Sequence, residues 1–310
     1  MNVIVSSIYG RSGKDGISVH ANFIENELSK DILFDYHVYL THENISSPDK
    51  DTLIFVNKGS ATVRTLIFAV QTNFGLNALR NRLCKDGNFF VFMGFHCVFL
   101  IPLLPRSSRV IFIPFDCWSA RERRFASQES NLIKRSARLL WYRLIKLAES
   151  IAIPRLDLIG LISEEEIDSF KAEHPKFAST NTKFAVIPRW RPDYTPRSSA
   201  PCSGSVTAEV SVLIWMDCRT PYGLASVKSL ARTLSALEPT TIEFLKIKAL
   251  TRIGDHQFAD AIRDIEMEFE NVEFIDDIAA YLATIDVVIL PDLFGSGVKN
   301  RTIQAIMSGN

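Results

Sequence analysis

The sequence predicts an α/β protein of two Rossmann-like domains whose parallel sheets face one another across a cleft. Three observations carry this prediction. Short apolar runs alternate with helical segments along the whole chain. The runs are continuously apolar, as strands of a parallel sheet covered on both faces must be. The alternation is interrupted once, at Pro188 to Ser205, by a segment rich in Pro, Ser and Arg that reads as a linker. The 310 residues amount to about two domains of ordinary size. The expected domains are residues 1–188 and 210–310, joined by 189–209.

The elements follow in order. Asn2–Ser6 is a strand, and Ser7 to Gly16 is a loop punctuated by Gly10, Gly13 and Gly16. Ile17 to Leu28 has helical spacing. Tyr36–Leu40 and Leu53–Val56 are short strands, and Asn73–Cys84 is a helix. Phe89–Met93 and Val110–Ile113 are strands, followed by a long basic helix over about Asn131–Ser150. Asp157–Ile162 is a strand. Ser163 then caps a helix with Glu166 three residues on, the spacing of a capping box. Phe184–Ile187 closes the first half. In the second half, strands are expected at Val210–Met216, Ile242–Ile247, Val272–Ile275 and Asp286–Leu290. Helices are expected at Leu224–Leu237, Gln257–Phe269, Ile278–Ala283 and Asn300–Met307. The last helix stops at Gly309-Asn310, where a βα series calls for another strand. The second domain is therefore expected to be incomplete and the chain truncated.

Composition excludes several classes. Hydrophobic residues make up 47% and charged residues 23%, which is globular rather than disordered or fibrous. The net charge is zero, but it is uneven: nine basic and 15 acidic residues follow Ser205, against 26 and 20 before it. Five widely spaced cysteines without a C-x-x-C pair read as reduced thiols of a cytosolic protein, not a zinc site. No basic, then apolar leader opens the chain. Phe89 to Leu104 is apolar but too short to span a bilayer, and it reads as a buried strand followed by a short buried helix.

Parallel sheets place ligands at the carboxyl ends of their strands. The functional loops are therefore expected after Ser6, Met93, Ile113, Met216, Ile247 and Leu290. The glycines at 10, 13 and 16 fit neither a P-loop nor a dinucleotide fingerprint. What remains is a glycine loop opening a helix, which can face an anion or simply connect. Asp292 to Arg301 is the strongest signal. Gly295, Ser296, Gly297 and Val298 offer backbone N–H groups at a helix N-terminus, and Lys299 and Arg301 flank Asn300 as cations. Such a set suits a diphosphate; the alternative is a glycine turn with a solvated lysine. Asp116 ends a strand beside Trp118, as an acceptor-side polar group or a helix N-cap. His96 follows another strand, as a core histidine or a base.

Ile289-Leu290-Pro291, then Gly295-Ser296-Gly297-Val298-Lys299-Asn300-Arg301-Thr302-Ile303-Gln304-Ala305, resembles the donor-site signature of the family 4 (group 1) glycosyltransferases of the GT-B fold. Val110 to Ser119, Asp157 to Glu164, Ile187-Pro188 and Asn271 to Ile278 resemble other family segments in the same order. The resemblance implies transfer of a sugar from a nucleotide-diphosphate sugar to a glycan or lipid-linked acceptor, as in polysaccharide biosynthesis. It also implies retention of configuration, with no cofactor and no essential metal. Lys299, with Arg219 and the Gly295–Gly297 backbone, would stabilise the departing diphosphate, with Asp116 the third catalytic candidate. Gly295 to Val298, Asn300, Arg301 and Gln304 would bind the donor, and Gly13 and His96 would lie on the acceptor side. Ser296 and Gln304 stand where the family commonly has a pair of glutamates, and Phe115 stands where it often has histidine. These departures support an alternative, a degenerate or fragmentary relative that binds nucleotide sugar without catalysis.

Ser119 to Glu149 carries eight basic residues: Arg121, Arg123, Arg124, Lys134, Arg135, Arg138, Arg143 and Lys146. No nucleic-acid motif accompanies them, so nucleic acid is not an expected partner. A solvated helix and a peripheral contact with an anionic membrane are the two readings. The expected location is cytoplasmic, in the second case at the inner membrane face.

Overall fold

The structure is a computed structural model. It describes residues 2–7, 16–41, 52–56, 88–129, 131–177, 181–187, 209–218, 221–236, 243–263, 269–291, 301–302 and 305–306. The expected helix at 73–84 and the expected linker lie outside these residues. Contacts divide the chain into two compact units, Met1–Arg191 and Pro192–Asn310.

The first unit contains strands β1 (Asn2–Ser7), β2 (Tyr36–Thr41), β3 (Thr52–Val56), β4 (Phe89–Met93), β5 (Arg109–Phe115), β6 (Leu158–Leu161) and β7 (Lys183–Val186). Its helices are α1 (Gly16–Leu28), α2 (Trp118–Gln128), α3 (Leu132–Ala152) and α4 (Glu164–Glu173). The seven strands form one sheet in the order β3-β2-β1-β4-β5-β6-β7, every pair parallel. The second unit contains β8 (Val210–Trp215), β9 (Leu245–Leu250), β10 (Glu270–Val272) and β11 (Val287–Ile289), with α5 (Pro221–Ser235), α6 (Asp255–Ile262) and α7 (Ile278–Leu282). Its sheet runs β10-β9-β8-β11, again parallel. In each unit the chain starts mid-sheet, grows one way, then returns to the other side of the first strand.

Burial explains the apolar strands. Along β1, β4 and β5, Val3, Val5, Phe90, Phe92, Val110 and Phe112 point to one core, shared with Ile145, Ile167 and Phe170 of the covering helices. Their neighbours Ile4, Val91, Met93 and Ile113 point to the other, against Ala21 and Ile24 of α1. The second sheet repeats this pattern. Val212, Ile214, Ile247 and Ala249 meet Val227 and Ala231 of α5 and Phe258 of α6. Leu213 and Leu250 meet Leu282 of α7. Both faces of each sheet exclude water, so continuous apolar runs are required.

Several boundaries differ from expectation. Helix α2 carries no apolar stripe to reveal it: its buried positions are Ser119, Ala120, Glu122 and Ala126. β9 lies three residues further on than its apolar density suggested. Pairing with β8 sets Leu245 opposite Val210 and Leu250 opposite Trp215. Lys248 is accommodated inside the strand by an ion pair with Glu270 of β10 at 2.8 Å. The carboxyl end of β9 is therefore Leu250, not Ile247. The segment after Met93 forms two short 3-10 turns, Phe95–Phe99 and Ile101–Leu103, that bury Phe95, Cys97, Val98 and Ile101. It is buried in the unit, as its length implied.

Phe92 is 2% exposed at the centre of the first sheet. Phe92→Ala should lower the unfolding free energy of the first unit by about 3–5 kcal/mol, measured by urea denaturation followed by tryptophan fluorescence.

Candidate functional site

Each sheet has one place where the strand order reverses, and there the chain leaves neighbouring strands in opposite directions, opening a crevice at their carboxyl ends. In the first sheet it lies between β1 and β4, where Ser6 pairs with Met93. In the second it lies between β8 and β11, where Ile214 pairs with Ile289. The glycine loop after β1 and the 3-10 turn bearing His96 therefore leave from adjacent strands. So do Asp217-Cys218 and the segment that begins at Pro291.

At the first edge, β4 ends in Gly94, whose φ of 90° is open to glycine and costly for other residues. Its N–H donates to the Ile113 carbonyl at 2.8 Å, tying the turn to β5. β5 itself ends in an irregularity. The register with β6 shifts between Phe112 and Phe115, and Phe115 takes φ 72° while its side chain is 2% exposed. A left-handed aromatic residue stores about 1–3 kcal/mol of strain and persists only where its surroundings enforce it. The enforcement comes from both sides. His20 of α1 meets the Phe115 ring edge-on at 5.2 Å. Beyond it, the Cys117 N–H donates to the Glu166 carboxylate at 2.5 Å.

The bulge delivers Asp116, Trp118 and the start of α2. Trp118 stacks on Phe95 with ring centroids 4.6 Å apart, and His96 lies tilted 6.2 Å from the indole. On the indole sits the Arg121 guanidinium, 4.4 Å from the ring centroid, and the same guanidinium reaches Asp116 at 3.5 Å. His96 and Asp116 thus border one cluster. Asp116 is not the N-cap of α2; that position is Cys117, without a side-chain cap bond. Its carboxylate is oriented by Arg121 instead.

Beneath this cluster lies a set of buried carboxylates. Glu166 is 1% exposed and faces Arg124 at 3.9 Å. Ser163 accepts the Glu166 N–H at 3.3 Å, as the capping spacing predicts, but the Glu166 carboxylate reaches across to α2. Glu173 accepts from Tyr142 at 3.0 Å and Lys146 at 3.1 Å and faces Arg123 at 3.0 Å. Glu149 contacts His174 at 2.8 Å, both buried. Glu122 faces Arg138 at 3.6 Å, and burial raises its pKa against the pull of Arg121 and Arg138. Burial, with the charges of Glu149 and Glu166, also pushes the Cys117 thiol well up. Five of the eight basic residues counted in the sequence are thus paired inside the unit.

At the second edge, the Cys218 N–H donates to the Thr251 carbonyl at 2.8 Å, which holds the chain leaving β8 against β9. Burial first, and then the Asp217 charge, push the Cys218 thiol up to about 12, and the cation of Arg301 acts against them. Arg301 therefore lies within electrostatic reach of the end of β8. Arg219, Gly295, Ser296, Gly297, Val298, Lys299, Asn300 and Gln304 lie outside the described residues, as does Gly13. Among the described residues, no three His, Cys, Asp or Glu side chains gather as a metal ion requires. His20 is the residue of this edge that sequence reasoning passed over. Glu166 entered there as half of a local cap, and Phe115 as a departure from the family that the sequence resembles.

No protein-family model and no curated protein sequence matches the chain. Solved structures do. WaaG, a glycosyltransferase involved in lipopolysaccharide biosynthesis, superposes with a TM-score of 0.67 at 12% identity, over 99% of this chain and 79% of that one. The E. coli trehalose-6-phosphate protein bound with UDP-2-fluoro glucose gives a TM-score of 0.62 at 10% identity, over 99% and 81%. A trehalose-6-phosphate synthase studied with bisubstrate glycomimetics of retaining transfer gives 0.59 at 12%, over 99% and 80%. The chain has the fold of the GT-B glycosyltransferases.

Glu166→Ala should lower stability by about 1.5–3 kcal/mol, the worth of a hydrogen bond to a charged group. Asp116→Asn, which loosens only a part-exposed pair, should cost less than about 1 kcal/mol. Urea denaturation of both variants checks the contrast. Cys218, 5% exposed and with its thiol held at about 12, should resist iodoacetamide at pH 8 until the protein is unfolded, as mapped by mass spectrometry.

Proposed function

We propose that the protein is a glycosyltransferase that moves a sugar from a nucleotide-diphosphate sugar to a hydroxyl of a glycan or lipid-linked acceptor, with retention of configuration. One observation carries the reading. The sequence Gly295 to Arg301 follows β11, which pairs with β8 at the switch point of the second sheet. The fold supports it, since structures that superpose over nearly the whole chain are glycosyltransferases, one of them bound to a UDP-sugar analogue.

In this reading the residues divide the work by charge. Departure of the nucleoside diphosphate leaves negative charge on its phosphates. Lys299, Arg219 and Arg301 offset that charge, and the N–H groups of Gly295 to Val298 donate to it. Asn300 and Gln304 hold the rest of the donor through neutral hydrogen bonds, weaker than those of a carboxylate. Gly13, His96 and Asp116 hold the acceptor hydroxyl. Arg121 aims Asp116, and the Phe95–Trp118 stack gives an apolar floor suited to a sugar face. The reaction calls on no cofactor. The location in this reading is cytoplasmic. Among the described residues no helix is long and apolar enough to cross a membrane.

A second reading, binding without turnover, is favoured by Phe115. The position where the related transferases often carry histidine is here a buried ring. One experiment separates the two. Nucleotide sugars are presented with and without glycan acceptors, and both binding and release of nucleoside diphosphate are measured; binding without release selects the second reading. Lys299→Ala should weaken nucleoside diphosphate binding by about 1.5–3 kcal/mol in calorimetry. Equal affinity in both proteins would remove Lys299 from the site.

A further inference from the structure

The amino edge of the first sheet carries a cavity that the proposed reaction does not use. Parallel sheets bear their sites at the carboxyl edge, where Asp116 and His96 lie. At the other end of β4 to β7 the sheet opens into a cavity of about 610 Å³, a size that holds a small organic molecule. Its floor follows from register. Phe89 pairs with Arg109. Two residues beyond, Ile111 pairs with Val91 and with Leu158, and Leu158 pairs with Lys183. Paired residues of a parallel sheet share a face, as do positions two apart. All five therefore stand on the face that α1 covers further along. There Ile4, Val91 and Ile113 are buried; in the cavity Phe89, Ile111 and Leu158 are only half-buried.

The walls are held in place by the fold itself. Leu156 lines the cavity from the turn that follows α3. The Thr182 hydroxyl donates to the Ile153 carbonyl at 3.3 Å, and the Arg155 guanidinium donates to the Pro102 carbonyl at 2.9 Å, so that turn is tied on two sides. The rim is charged. Asp157 accepts the Val110 N–H through one oxygen at 2.6 Å, and its other oxygen lies 4.0 Å from the Arg109 guanidinium. The Arg109 side chain is 76% exposed, so this pair holds it loosely. Lys183 is exposed and forms no ion pair with a described residue. Two cations against one engaged carboxylate leave the rim net positive above an apolar floor. A neutral hydrocarbon would leave the cations unused, and a bare anion would leave the floor in water. A flat apolar body with one anionic group meets both: the ring lies on Phe89, Ile111 and Leu158, and the anion sits between Arg109 and Lys183.

We propose that this cavity is a binding site for an aromatic organic anion, at the opposite end of β5 from Asp116 and independent of the transfer reaction. The test is calorimetry of the full chain with 1-naphthyl phosphate as the probe. Inorganic phosphate and 1-naphthol each present half of its chemistry. Wild type should bind the probe with a Kd below about 1 mM, and each half should bind about tenfold more weakly or less. Arg109→Gln with Lys183→Gln should weaken the probe about tenfold; both side chains are exposed, so the fold stands. Leu158→Thr should weaken it about threefold or more, with thermal melting to show that the variant is folded. Arg106→Gln, at an exposed cation of the loop before β5, should leave binding unchanged. A saturating nucleoside diphosphate should not displace the probe, so a failure at this cavity leaves the donor reading standing. Wild type that does not bind the probe overturns the proposal, as does a double variant that binds it like wild type. Displacement by nucleoside diphosphate also overturns it, because the probe then occupies the donor site.

Discussion

The carboxyl edge of the first unit's sheet hangs on one buried carboxylate. Glu166 accepts the N–H of Cys117 and so fastens the start of α2 to α4. Without that acceptor the N–H would be buried and unmet, a cost comparable to the bond itself. The bond lets β5 end in a bulge with Phe115 in a left-handed conformation. The bulge in turn swings Asp116 and Trp118 to the carboxyl edge of the sheet. From there Trp118 meets Phe95, Arg121 meets both Trp118 and Asp116, and His96 closes the cluster. A local distortion in one strand is thus stabilised by a charge from an element 49 residues away.

The same helices solve a second problem with the same chemistry. α2 and α3 are rich in arginine and lysine, yet they cover an apolar sheet. The buried charges are the carboxylates of Glu122, Glu166 and Glu173, and a buried anion is tolerable only with a paired cation. Each faces a part-exposed Arg or Lys across a helix boundary. Arg138 and Lys146 of α3 turn toward these carboxylates, while Ile145, Ala148 and Ala152 face the core and Lys134, Arg135 and Arg143 are exposed.

The second unit shows how strand order brings distant segments together. β8 and β11 are neighbours in the sheet, although some 70 residues separate them in sequence. Their carboxyl ends bring Asp217 and Cys218 to the start of the segment that contains Gly295 to Arg301. Gly295 to Asn300 stood out in the sequence because glycine, serine and lysine next to a strand are unusual without a reason, and they lie outside the described residues. His20 was not legible, because nothing local distinguishes a helix histidine that meets a ring from one in solvent.

The sequence by itself determined the fold class, the two-sheet plan and the order of the loops that can bear function. These follow from period and burial: a strand covered on both faces must be apolar at every position, wherever it lies in the sheet. It also showed that Ser163 begins a helix, since a cap is a local hydrogen bond. Only the tertiary structure decided where β9 lies, because register with β8 outweighs local apolar density. Only it decided which cations are paired and which are free to meet a partner. It also decided that Asp116 is held by Arg121 rather than capping α2, and that Phe115 carries the strain. A strand's neighbour and a charge's partner lie tens of residues away, and no local pattern of residue types records that distance.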